Sequence, residues 1–170
     1  MNTLANRRAF LRGKVLRQDR SAIRPPGADE RGFYDLCEQC DHCVQACPEQ
    51  IISFDTQGWP VVRFDTSPCT FCGACAQACP TGALNPETVA DWPWRAVFAS
   101  TCLSMNAVTC RVCQDACDAQ AIRFTLQPGG RSEPALDPDT CTGCGACAGA
   151  CPVGAIAFTR PTPSIPEVAE

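Results

Sequence analysis

The sequence predicts an α+β fold made of two tandem copies of one small module, with short hairpins, short helices and little other regular structure. Three observations predict it. All 16 cysteines fall into four groups of four: Cys37, Cys40, Cys43 and Cys47; Cys69, Cys72, Cys75 and Cys79; Cys102, Cys110, Cys113 and Cys117; Cys141, Cys144, Cys147 and Cys151. Residues 69–83 and 141–155 match at 12 of 15 positions, and the two halves repeat at a spacing of 70 to 72 residues. Between the quartets of each half lie two short apolar runs separated by turn residues, the signature of a hairpin.

The spacing identifies the chemistry. Three of the quartets read C-x2-C-x2-C-x3-C-P. Three thiolates at this spacing wrap one cubane 4Fe-4S cluster, and the fourth Cys is turned toward a second cluster. Disulfides and structural zinc are the rival readings. Neither accounts for four complete quartets at x2-x2-x3 spacing with a following proline. The spacing rule assigns ligands crosswise within each half. Cluster one takes Cys37, Cys40, Cys43 and Cys79, and cluster two takes Cys69, Cys72, Cys75 and Cys47. Cluster three takes Cys102, Cys110, Cys113 and Cys151, and cluster four takes Cys141, Cys144, Cys147 and Cys117. Ligation within each motif is the alternative. Gly143, Gly145 and Ala146 are small spacers that let the backbone fold closely around a cube, with glycine tolerating positive φ. His42, the only histidine, is read as a spacer beside the cluster and not as a ligand.

In chain order, residues 1–30 form a basic arm, 31–85 a first ferredoxin-like module, 86–100 a linker, 101–160 a second module, and 161–170 a proline-rich disordered tail. Pro25, Pro26 and Gly27 stop any helix and start an extended connection. Phe33, Tyr34 and Leu36 are expected to pack on the first cluster. Residues 51–54 and 60–64 read as the strands of a hairpin turning at 55–58, with Ala83 and Leu84 closing its sheet. Pro86 and the Asp91-Trp92-Pro93-Trp94 run punctuate the linker, where the two tryptophans suit either the junction of the halves or an exposed partner anchor. The third motif is irregular, with seven residues after Cys102 and Asp118 in place of the proline, so a loop is expected there. Residues 121–124 and 133–136 form a second hairpin around Gly129-Gly130, and 155–158 end it. Short helices are expected to carry the fourth Cys of each motif.

Charge is divided unevenly. Residues 1–24 hold seven of the 14 basic residues and one acid, Asp19, so the net −4 chain pairs a basic arm with an acidic body. This favours protein partners over nucleic acid, because no base-reading motif accompanies the basic residues. No apolar run reaches the length of a transmembrane helix and no secretory h-region is present, so a cytoplasmic protein is expected. Arg7-Arg8-Ala9-Phe10-Leu11-Arg12 resembles a twin-arginine export motif, yet charged residues follow where an h-region belongs. No constellation for bond chemistry is present, so no enzyme active site is expected.

The Arg7-Arg8 arm, the Ile23-Arg24-Pro25-Pro26 run, four quartets in this order and the x7 spacer together resemble the NapF family. These are ferredoxin-type accessory proteins of periplasmic nitrate reductase systems. The resemblance spans residues 5 to about 158. It implies four 4Fe-4S clusters and a cytoplasmic role in maturing the catalytic subunit (NapA) of periplasmic nitrate reductase before its export. Arg7, Arg8, Phe10, Leu11 and Arg12 would form the docking element. A general electron-transfer polyferredoxin supplying a reductase is the alternative.

Overall fold

The computed structural model describes residues 19, 21–29 and 32–160. Arg7, Arg8, Phe10, Leu11 and Arg12, and the tail from 161, lie outside the described residues. Within them the fold is mixed α and β with short elements, as the repeat predicts. The first half contains helices α1 (Phe33–Leu36) and α2 (His42–Gln45), strands β1 (Ile52–Phe54) and β2 (Pro60–Val62), and helix α3 (Ala74–Gln77). A 3-10 turn, Pro86–Asp91, leads into β3 (Arg95–Phe98). A second 3-10 turn, Ser104–Asn106, precedes α4 (Val112–Asp115), β4 (Ile122–Gln127), β5 (Arg131–Leu136), α5 (Ala146–Ala150) and β6 (Ile156–Thr159).

Local chemistry sets these short lengths. Helices α2, α3 and α5 each start after a left-handed residue, Asp41, Gly73 and Gly145, at φ 67°, 74° and 89°. Three residues after the fourth Cys of every motif the chain turns left-handed again, at Gln50, Gly82, Gln120 and Gly154. Helices α2, α3 and α5 are confined between these two reversals, and α4, which starts after Arg111 at φ −138°, meets only the second. Each of the four carries the third Cys of its motif (Cys43, Cys75, Cys113, Cys147) and ends before the fourth. This corrects the expectation that the helices carry the fourth Cys. The fourth follows the last turn, where a proline or a left-handed residue cannot extend a helix.

The sheets are antiparallel pairs. β1 and β2 pair from Ile52 opposite Val62 to Phe54 opposite Pro60, and β4 and β5 from Ile122 opposite Leu136 to Gln127 opposite Arg131. The third pair joins the ends of the second half: β3 with β6, Arg95 opposite Thr159 and Phe98 opposite Ile156. Residues 155–158 therefore do not extend the β4/β5 hairpin, and the segment read as a linker supplies their partner. The equivalent contact in the first half is a single bridge, Ala28 opposite Leu84. Leu84 thus pairs with the incoming chain and not with β1 or β2. In both halves the strand after the second motif closes on the segment before the first, a pairing of distant residues that no local pattern announces.

The incoming chain is built into the core. The Val62 N–H donates to the Ile23 carbonyl at 2.7 Å, and the Asn85 N–H to the Gly27 carbonyl at 2.8 Å. Arg24, counted in the basic arm by its charge, is 4 % exposed. Its guanidinium donates to Asp55 Oδ2 at 2.9 Å, to the Pro60 carbonyl and to the Tyr34 hydroxyl. The main core gathers Phe33, Trp59, Phe64, Leu84, Trp92 and Trp94, with Phe158 of the second half packed against it. A smaller core holds Ala96, Cys113, Ile122 and Cys147. Trp92 and Trp94 are 4 % and 3 % exposed, so they form the junction and are not surface anchors.

Candidate metal centres

The backbone aims the thiols by a repeated left-handed pattern. The second residue of the first spacer and the first residue of the second spacer have positive φ in three motifs: Gln39 and Asp41, Phe71 and Gly73, Gly143 and Gly145. The reversals turn the thiols of one short loop toward a common side and free N–H groups to face sulfur. Past the helices, the Ala121 N–H donates to Cys117 Sγ at 3.4 Å and the Ala155 N–H to Cys151 Sγ at 3.3 Å.

The sixteen thiols are all free of disulfides. Cys37, Cys40, Cys43 and Cys79 line one cavity, whose remaining wall includes Phe33, Phe54 and Leu84. Cys47, Cys69, Cys72 and Cys75 line a second, with Ile52, Val62 and Phe71. Cys117, Cys141, Cys144 and Cys147 line a third, with Ala96, Ile122 and Phe158. Each set takes three thiols from one motif and the fourth from the other motif of that half. In the remaining set, Cys102 and Cys110 act electrostatically on Cys113. Cys151 lies past α5 as Cys117 lies past α4. The x7 spacer is a loop tied by the Asn106 side chain, whose amide donates to the Ser100 and Cys102 carbonyls at 2.8 Å each. Its Ser104 hydroxyl is hydrogen-bonded to that of Ser132 on β5. His42 directs Nδ1 toward Cys40 Sγ at 3.6 Å.

The donor sets fit iron–sulfur cubanes. Among the described residues no three His, Cys, Asp or Glu side chains close on a single-ion site. The thiols instead ring apolar-walled cavities, as a cubane requires and a zinc ion held at about 2.3 Å does not. Burial, reinforced by neighbouring thiols, pushes Cys43 and Cys113 up to about 11 and Cys147 up to about 12. Burial likewise raises Cys69 to about 11 and Cys75 to about 12. Burial also raises Cys79, but hydrogen bonds from Leu84, Thr81 and Ala83 outweigh it and hold that thiol below its usual range. Crowded buried thiolates need positive charge beside them, which bound iron supplies.

Residues 36–83 and 108–155 each match the 4Fe-4S dicluster domain. The chain is 41 % identical over 153 residues to the ferredoxin-type protein NapF of Escherichia coli strain K12, covering 89 % of this chain and 93 % of that protein. The chain belongs to this family of ferredoxin-type 4Fe-4S proteins. NapF of Haemophilus influenzae is likewise 41 % identical, over 160 residues, covering 88 % of this chain and 91 % of the relative. The methylamine utilization ferredoxin-type protein MauM of Paracoccus denitrificans is 35 % identical over 155 residues, covering 80 % of this chain and 69 % of the relative. Two dicluster segments and sixteen thiols fit a total of four clusters.

Besides the β3/β6 pair, two features nearer the sites are not legible in the sequence. Arg24 has no local signal, because its partners Asp55 and Pro60 lie 31 and 36 residues away. The approach of the second motif to the fourth is the other: the Cys69 N–H donates to the Cys144 carbonyl at 2.7 Å. Nothing in either motif taken alone marks that contact.

Proposed function

We propose that this NapF-like 4Fe-4S protein acts in the cytoplasm as an accessory factor. On this reading it matures the catalytic subunit (NapA) of periplasmic nitrate reductase before that subunit is exported. The observation that carries the reading is the 41 % identity to NapF across 89 % of the chain. The clusters supply one-electron redox chemistry when bound. The chain's own residues do the rest: sixteen cysteines hold iron in the crosswise sets, and apolar walls such as Phe33, Phe71 and Phe158 cover the inner side of the sites, where Cys43, Cys75, Cys113 and Cys147 are buried. Backbone N–H groups stabilise the thiolates. On this reading the protein carries electrons or assists its partner and performs no bond chemistry of its own. Arg7, Arg8, Phe10, Leu11 and Arg12 form the docking element toward the unexported subunit.

The test is an anaerobic binding assay between the holo-protein and the signal-bearing precursor, with the mature subunit as control. Deleting residues 1–18, which spares the buried Arg24, is expected to weaken precursor binding at least tenfold while leaving the iron content unchanged. Unchanged binding would remove the docking role. No binding to either form, together with fast reversible reduction, would favour the second reading, a general electron carrier. The adjacency of the sites across the two halves supports that reading.

A further inference from the structure

The two halves meet at their thiol loops. Besides the 2.7 Å Cys69–Cys144 peptide hydrogen bond, the Cys144 thiol acts electrostatically on the Cys69 thiol. The contact is packed tightly. A Cβ on Gly145 would overlap the Phe64 ring, and one on Gly143 would overlap the Trp94 carbonyl oxygen. The Phe64 ring lies 4.9 Å from that of Phe158 and 6.1 Å from that of Trp92, which keeps the surroundings apolar. Within each half, adjacency has the same form: Cys43 acts on Cys75, and Cys113 on Cys147. The sites therefore run in the order one, two, four, three, which is not their order in the chain.

We propose that the Cys69–Cys144 contact is the electron crossing between the halves, joining the second site to the fourth and leaving the first and third as the terminals of one line. Tunnelling falls steeply with distance, so the bridge where ligand residues touch carries the transfer. The step moves one electron: the site on one side of the bridge is oxidised by one and the site on the other reduced by one. No bond or proton changes place, and a low-potential one-electron donor supplies the electron. The inference rests on the reading of these thiols as 4Fe-4S ligands. It does not depend on how ligands pair, because Cys69 belongs to the second site and Cys144 to the fourth under crosswise and within-motif ligation alike.

Pulsed electron paramagnetic resonance on anaerobic holo-protein, reduced stepwise with dithionite, tests the crossing. Iron and acid-labile sulfide are counted in every sample. In the wild type the second site is expected to relax faster because of its reduced neighbour. The double variant Cys141→Ala/Cys144→Ala, which dismantles the fourth site, should lose the fourth site's share of that enhancement and keep only the share that the first site supplies. Cys102→Ala/Cys110→Ala, which dismantles the third, should retain both shares. Clusters present, with the second site indifferent to the fourth or equally sensitive to the third, would overturn the crossing alone. Wild-type protein without iron and sulfide would overturn the 4Fe-4S reading and the crossing with it. A measurement without variants guards against misfolding. In freeze-quenched wild type given less than one electron per molecule, redistribution between the halves should be first order and independent of protein concentration. A rate proportional to protein concentration would mean transfer between molecules and would overturn the proposal.

Discussion

Arg24 shows how far a residue's role departs from its type. By sequence it is the last basic residue of a basic arm; in the fold it is a buried cation on Asp55, with its guanidinium 5.3 Å from the centre of the Tyr34 ring. Asp55 in turn accepts from the Gln57 and Trp59 N–H groups, so the pair locks the β1–β2 turn. Removing one partner of a buried pair costs roughly 3–5 kcal/mol, and Asp55 keeps some contact with water. Arg24→Gln is therefore expected to destabilise the protein by about 3 kcal/mol, read from denaturant unfolding followed by tryptophan fluorescence. A loss below about 1 kcal/mol would place the pair among surface ion pairs. The thiols make a second prediction. Cys75 and Cys147, raised to about 12, stay protonated in the metal-free fold. Because their folded values are raised, their contribution to that fold is fully present below pH 9 and is lost as pH rises toward 12. Ligation reverses the requirement, since iron binds thiolate. Anaerobic iron uptake should therefore accelerate from pH 7 to 8.5, and a flat profile would show that proton loss from these thiols does not limit loading.

At the scale of the element, the cysteine loops are copies that have diverged in what surrounds them. Phe71 holds a left-handed φ of 53° at the position where the fourth motif has Gly143, so the reversal itself does not demand glycine there. The close approach of the Trp94 carbonyl does. Gly73 and Gly145 are likewise equivalent, with φ of 74° and 89°. A Cβ on Gly73 would meet only the Gln77 side chain, whereas one on Gly145 would strike the Phe64 ring. Gly73→Ala should thus cost only the left-handed penalty, about 1–2 kcal/mol. Gly145→Ala adds overpacking, for a total of about 3 kcal/mol or more. Comparing the two midpoints in one denaturant series checks the difference, and equal costs would deny Phe64 its place in the junction. The motifs and the β1/β2 and β4/β5 hairpins were legible because spacing and turn residues are local signals. The β3/β6 pair was not, because Pro93 and Trp94 read as punctuation and the partner strand lies about 60 residues downstream.

For the whole molecule, the duplication does not yield two independent beads. Phe64, Trp92 and Trp94 carry packing from the first half onto Phe158, and Arg160 lies 4.6 Å from the centre of the Trp94 ring. Halves that share a core should unfold together. Tryptophan fluorescence, which reports Trp59, Trp92 and Trp94, and cluster absorbance, which reports both halves, are expected to give coincident transitions under anaerobic denaturation. Two separated transitions would show that the junction is weaker than its packing implies. The sequence by itself determined that there are four quartets in two repeated halves, that their spacing suits 4Fe-4S clusters, and the family to which they belong. These follow from short-range spacing, where a two-residue spacer constrains which thiols can face one cube. Only the tertiary structure decided that Arg24 is core, that the linker supplies a strand, and that the second site touches the fourth. Each of those depends on contacts between residues tens of positions apart, whose proximity is fixed by packing around the tryptophan junction and not by any local pattern.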